Sequence, residues 1–247
     1  MTTLFAKDAL ALRLGAAIRG GNIEQVRRLL DEHPELASVR ILGRKGGTRT
    51  PLHVATDWPG YFPDGPAVGR LLLCRGADPN APGTGGSFAE TPLHWAASSD
   101  DVDVAAALID GGADIEARGG SIAGGGPLDN AVGYACWHVA RLLVERGVRV
   151  ERLWHAAALG MMSRVEELLQ GDPPTTSTDL NDAFWQACAG GQRRVAEYLL
   201  GKGADINWIP NMRRLRHWTR SAVLVRAGIL SRAGCAASMP NPPGPEH

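Results

Sequence analysis

No Cys-x-x-Cys pair occurs in this chain, and its four cysteines, Cys74, Cys136, Cys188 and Cys235, stand far apart. That spacing excludes a zinc knuckle and argues against a disulfide framework. Aromatic residues make up only 6% of the sequence and the formal net charge is zero, so no chain-wide field draws it to nucleic acid or to an anionic membrane. No apolar run approaches membrane-spanning length. Lys7, Asp8, Arg13 and Arg19 interrupt the segment from Met1 to Gly21, leaving no apolar core of the signal-peptide type. Together these absences imply a reducing, cytoplasmic setting. Catalytic signatures are missing too, since neither Gly-x-x-x-x-Gly-Lys-Ser/Thr nor Gly-x-Ser-x-Gly occurs. The chain therefore reads as a non-enzyme without cofactor, metal or small-molecule substrate.

What the chain does have is glycine, with 31 residues, and 44% hydrophobic content, enough for a folded array of small-residue helices and repeated turns. Its best-formed unit starts at Thr91-Pro92-Leu93-His94-Trp95-Ala96-Ala97 and closes at Gly111-Gly112-Ala113-Asp114. Thr91 suits an N-cap, and Pro92 suits the first helical position, where its missing N–H costs nothing. Leu93, Ala96 and Ala97 form a narrow apolar stripe. Asp100, Asp101 and Asp103 open a second helix whose buried side is Val104, Ala107, Leu108 and Ile109. Two helices this short cannot bury their apolar faces alone, so the unit needs copies on either side.

Those residues, in that order, resemble the ankyrin repeat, with its Thr-Pro-Leu-His start and Gly-Ala-Asp turn. The resemblance implies an all-α fold, an ankyrin-repeat solenoid of stacked helix-turn-helix pairs with protruding finger loops. Six copies follow, at about residues 8–49, 50–90, 91–126, 127–150, 151–180 and 181–207. The first lacks the motif and reads as a cap. The second repeats it as Thr50, Pro51, Leu52 and His53, with Pro51 and Pro92 41 residues apart. In the fourth, Asp129 takes the histidine place; in the fifth and sixth, Trp154 and Trp185 take it and are placed to stack. Residues 171–178 read as a solvent loop.

His53 and His94 invite a metal reading, but neighbouring copies sit ~8–10 Å apart, whereas each metal ligand needs ~2 Å. The family resemblance implies instead that both histidines hydrogen-bond at the helix start. Cys136 and His138 fall on different helix faces and make a poor ligand pair. The resemblance further implies a protein partner, docked by a monomer through its concave surface and fingers. Finger residues Arg44, Lys45, Arg49, Ser87, Phe88, Arg118 and Ile122 are the candidate contacts. Trp58, Tyr61 and Phe62 join them, on a proline-flanked loop that is either an insertion packed on the helices or a binding knob.

The pattern stops after Asn207. Residues 208–247 carry six arginines (Arg213, Arg214, Arg216, Arg220, Arg226 and Arg232), no lysine and a single acid, Glu246. Three readings compete: a basic tail for phosphates or anionic lipid, a capping helix near residues 221–231, and the out-of-frame remnant of a seventh copy, which is preferred. Nucleic-acid or anionic-membrane binding through this segment, and regulation of a neighbouring enzyme, are the alternatives to the protein-binding reading.

Overall fold

A computed structural model describes residues 2–43, 46–85 and 88–208. The expectations for Arg44, Lys45, Ser87 and residues 209–247 lie outside the described residues. The described chain divides into two compact units that meet in sequence at Val150 and Glu151.

The first unit holds four helix pairs: α1 (Ala9–Arg19) with α2 (Ile23–Glu32), α3 (Pro51–Ala55) with α4 (Gly65–Cys74), α5 (Pro92–Ser99) with α6 (Val102–Asp110), and α7 (Pro127–Gly133) with α8 (Trp137–Glu145). First helices pack on first helices, α1 on α3, α3 on α5 and α5 on α7. Second helices do the same, α2 on α4, α4 on α6 and α6 on α8. Their small apolar stripes set this spacing: Leu14, Leu52, Leu93, Ala96 and Ala97 are fully buried along the first helices, as are Leu29, Leu72, Leu108 and Leu143 along the second. Each Leu→Ala change in such a row costs about 2–5 kcal/mol.

The starts and stops follow the predicted signals. Asn22 caps α2 by accepting from the Gln25 N–H at 2.9 Å, and Asp101 caps α6 by accepting from the Val104 N–H at 3.3 Å. Beyond α4, α6 and α8, the chain turns outward at Gly76, Gly112 and Gly147, with φ of 88°, 90° and 89°, a region that favours glycine.

The all-α expectation omits one feature. β1 (Thr3–Phe5) pairs in parallel with β2 (Arg40–Leu42), which pairs antiparallel with β3 (Thr48–Arg49). Strands of two or three residues leave no period-2 pattern to read. The sheet ties the N-terminus to the first finger, and Thr48 extends the ladder to Thr84 of the next finger.

The second unit holds α9 (Leu153–Ala158), α10 (Met162–Leu169), α11 (Ser177–Ala189) and α12 (Arg193–Gly201), with α9 packed on α11 and α10, and α11 on α12. Here the expected solvent loop holds over residues 171–176 and ends two residues early, at the start of a helix. Thr176 and Asp179 form a capping box, the Asp179 N–H donating to Thr176 Oγ1 at 3.1 Å and Thr176 Oγ1 donating to Asp179 Oδ2 at 2.6 Å. Helix α11 therefore starts at Ser177, inside the stretch assigned to the fifth copy.

Candidate partner-binding surface

The histidine motifs build the surface from the helix starts outward. The Thr91 N–H donates to His94 Nδ1 at 3.1 Å, and His94 Nε2 donates to the Gly125 carbonyl at 3.2 Å. One copy earlier, the Thr50 N–H donates to His53 Nδ1 at 3.1 Å and His53 Nε2 donates to the Glu90 carbonyl at 3.0 Å. Each ring accepts on one nitrogen and donates on the other, so it works as the neutral Nε2–H tautomer. Its effect is to fasten its own helix start to the end of the next finger.

Burial enforces that neutral state. His53 is pushed down from 6.5 to about 4 by desolvation, against the opposing pull of the Glu90 carbonyl. His94 is lowered by the same cause, opposed by the Gly125 carbonyl. His53 also meets the edge of Trp95 from the next copy, with ring centroids 5.0 Å apart and planes at 79°. Asp129 keeps half of this role: its Oδ2 accepts from the Gly126 N–H at 2.8 Å, but a carboxylate has no proton to pass onward.

The tryptophan assignment in the fifth copy is corrected. His155, whose N–H bonds the Arg152 carbonyl at 3.1 Å, occupies the third helical position of α9, the position of His53 and His94. It is buried at 3% exposure, and half-buried Trp154 lies against it with centroids 4.0 Å apart. Without a proline to mark the first helical turn, alignment on Leu153 puts the register one residue off.

Asp100, read as a helix opener, works across copies. It sits at φ 56° and its Oδ1 accepts the N–H groups of His138 and Val139, each at 3.0 Å, at the start of α8. His138 Nδ1 lies 2.6 Å from Asp100 Oδ2. Neighbouring Cys136 is buried, its thiol pushed up to about 12 by desolvation and then by Asp100. Such a thiol is inert.

A buried polar network lies beneath the third finger. Asn130, fully buried, donates to Glu90 Oε1 at 2.7 Å and to Ser98 Oγ at 3.2 Å, and its Oδ1 accepts from the Ile122 N–H at 3.3 Å. The Ser121 N–H donates to the same Glu90 oxygen at 2.8 Å. Above it opens a pocket of about 240 Å³ whose lining includes Asp57, Trp58, Glu90, Trp95, Ser98, Ser121 and Tyr134. Asp57 there is already paired, with Arg19 at 2.9 Å and Arg49 at 3.1 Å.

The candidate contact residues divide accordingly. Trp58 is 81% exposed, Tyr61 58% and Phe88 48%. Arg118 is exposed as well, and Phe62 is half-buried. The loop after α3 is nonetheless anchored, because the Tyr61 N–H donates to Asp101 Oδ2 at 2.6 Å and the Tyr61 hydroxyl donates to the Asp100 carbonyl. The loop backbone is thus fastened to the next copy, while the Trp58 ring stays largely exposed. Arg49 is engaged by Asp57, and Ile122 packs over Gly133, where an added Cβ would meet it at 2.8 Å. Of the candidate contacts, Trp58 lines this pocket; Glu90, Trp95 and Tyr134 were not among them. Glu90 precedes the motif and Tyr134 follows a helix, so neither carries a spacing signal.

Comparison with known proteins places this geometry. The ankyrin repeat family model matches residues 48–84 and 90–120. Among solved structures, the ankyrin repeat domain of Bcl-3, described as a unique member of the IkappaB protein family, shares 26% identity. The match covers 87% of this chain and 98% of that one, with a TM-score of 0.51. No curated protein matches the chain significantly. Residues 48–84 and 90–120 are thus matched as ankyrin repeats, and the fold around them is shared with a solved ankyrin repeat domain.

Proposed function

We propose that the chain is a non-catalytic, cytoplasmic protein-binding module, a monomeric scaffold that docks a partner through its first helices and fingers. Ankyrin repeats in general mediate protein–protein interaction, and six helix pairs stand among the described residues. The observation that carries the reading is exposed aromatic surface on anchored backbone. Trp58, Tyr61 and Phe88 stand out from fingers and loops that hydrogen bonds already order, so docking them loses little conformational entropy. Arg118, exposed as well, adds a charged group to the candidate contacts.

Affinity capture from the native host, comparing the wild type with the Trp58→Ala/Phe88→Ala variant, tests this. A protein retained by the wild type and lost by the variant is the expected result. A second reading rests on the six arginines of residues 208–247: recovery of nucleic acid or anionic lipid, with affinity falling steeply as salt rises, would replace the first.

A further inference from the structure

The pocket beside Trp58 combines features that point to one kind of ligand group. Trp58, Trp95 and Tyr134 give it aromatic walls, Glu90 a carboxylate, and Ser98 and Ser121 hydroxyls. Its volume, about 240 Å³, falls below the roughly 300–1,000 Å³ of pockets that hold a free small molecule. A single inserted side chain suits it better.

The charges decide which side chain. Asp57 is matched by Arg19 and Arg49. Glu90 is held only by neutral donors, the Ser121 N–H and the Asn130 amide, and has no cationic partner among the described residues. A carboxylate fixed by neutral hydrogen bonds beside aromatic rings favours a cation, whose charge the rings also attract. The site is built in advance: Trp95 is braced edge-on by His53, and Asn130 is fully buried behind Glu90.

We infer that this pocket receives an arginine side chain of the partner polypeptide, its guanidinium lying on the tryptophan rings and donating to Glu90. The inference rests on the protein-binding reading above. Arginine fits better than lysine because its planar head stacks on rings, donates in a fork and is more weakly hydrated.

The test uses the full chain and the probe Nα-acetyl-argininamide, followed through the assigned indole N–H resonances of Trp58 and Trp95, with Nα-acetyl-citrullinamide as the neutral isostere and Nα-acetyl-lysinamide as the competing cation. The arginine probe should bind with a roughly millimolar Kd, at least about tenfold tighter than citrulline and more tightly than lysine. Glu90→Gln keeps an oxygen for Ser121 and Asn130, and should weaken the arginine probe about tenfold. Trp58→Ala removes an 81% exposed ring, so folding is untouched, and should weaken it about threefold or more.

Citrulline binding within twofold of arginine, a lysine preference, or unchanged affinity in Trp58→Ala would overturn the assignment. Capture of the same protein partner by wild type and Glu90→Gln alike would also remove the arginine site while leaving protein binding intact. Absence of any partner in the capture experiment would instead count against the protein-binding reading, whatever the probe does.

Discussion

At the residue scale, the histidine of the Thr-Pro-Leu-His motif earns its place by being neutral. His94→Ala would leave the Thr91 N–H and the Gly125 carbonyl without their shared partner in a buried site. The expected loss is about 2–4 kcal/mol, read from urea unfolding at neutral pH. His53 makes the same arrangement pH-sensitive. Its folded-state value of about 4 lies below the unfolded value of 6.5, so the unfolded chain takes up the proton first. The stabilisation is complete above about pH 6.5 and is lost as the pH falls through about 4, amounting to roughly 3 kcal/mol. Urea midpoints should therefore drop between pH 7 and pH 4.5, and His53→Gln should flatten that part of the curve. An unchanged slope in the variant would assign the acid sensitivity elsewhere.

At the element scale, helix ends hold the copies to one another. Asp100 closes its own inter-helix turn and caps α8 of the next copy, so Asp100→Ala should cost about 2 kcal/mol. Asp100→Asn, which tolerates the left-handed backbone and keeps an accepting oxygen, should recover most of it; equal loss in both would show that the carboxylate's contact with His138 Nδ1 matters more than the cap. Gly112 tests backbone strain by itself. An added Cβ there meets nothing within 4 Å, yet φ is 90°, so Gly112→Ala should lower stability by about 1 kcal/mol through conformation alone. Thermal unfolding of that variant beside Thr176→Ala, a cap loss of about 1 kcal/mol, compares the two devices. The ion pairs Arg75–Asp31 and Arg146–Asp110, both 2.6 Å, join the ends of neighbouring second helices, α4 to α2 and α8 to α6. Surface pairs of this kind contribute about 0–1 kcal/mol each, and mainly keep register.

At the scale of the whole molecule, stability and recognition separate. Packing resides in rows of buried leucine and alanine, whereas Trp58 and Phe88 stand clear of them. Trp58→Ala/Phe88→Ala should shift unfolding by no more than about 0.5 kcal/mol, while circular dichroism stays unchanged and partner capture is lost. A large drop in melting temperature would mean that these rings support the fold.

The sequence by itself determined the helix pairs, their caps and the outward glycine turns, because these depend on residues three or four apart whose chemistry is local. The structural use of His53 and His94 came from the family resemblance that the motif carries, and the ring at the third helical position does accept from the threonine N–H three residues earlier. Local signals failed where the partner is remote. The strand at Thr3–Phe5 forms only because Arg40–Leu42 lies alongside, and the register of His155 follows only from α9 starting at Leu153. Glu90, Trp95 and Tyr134 come from three places in the chain, and no spacing marks them as neighbours. Stacking of the second, third and fourth copies brings them together, so the pocket is a property of the tertiary structure alone.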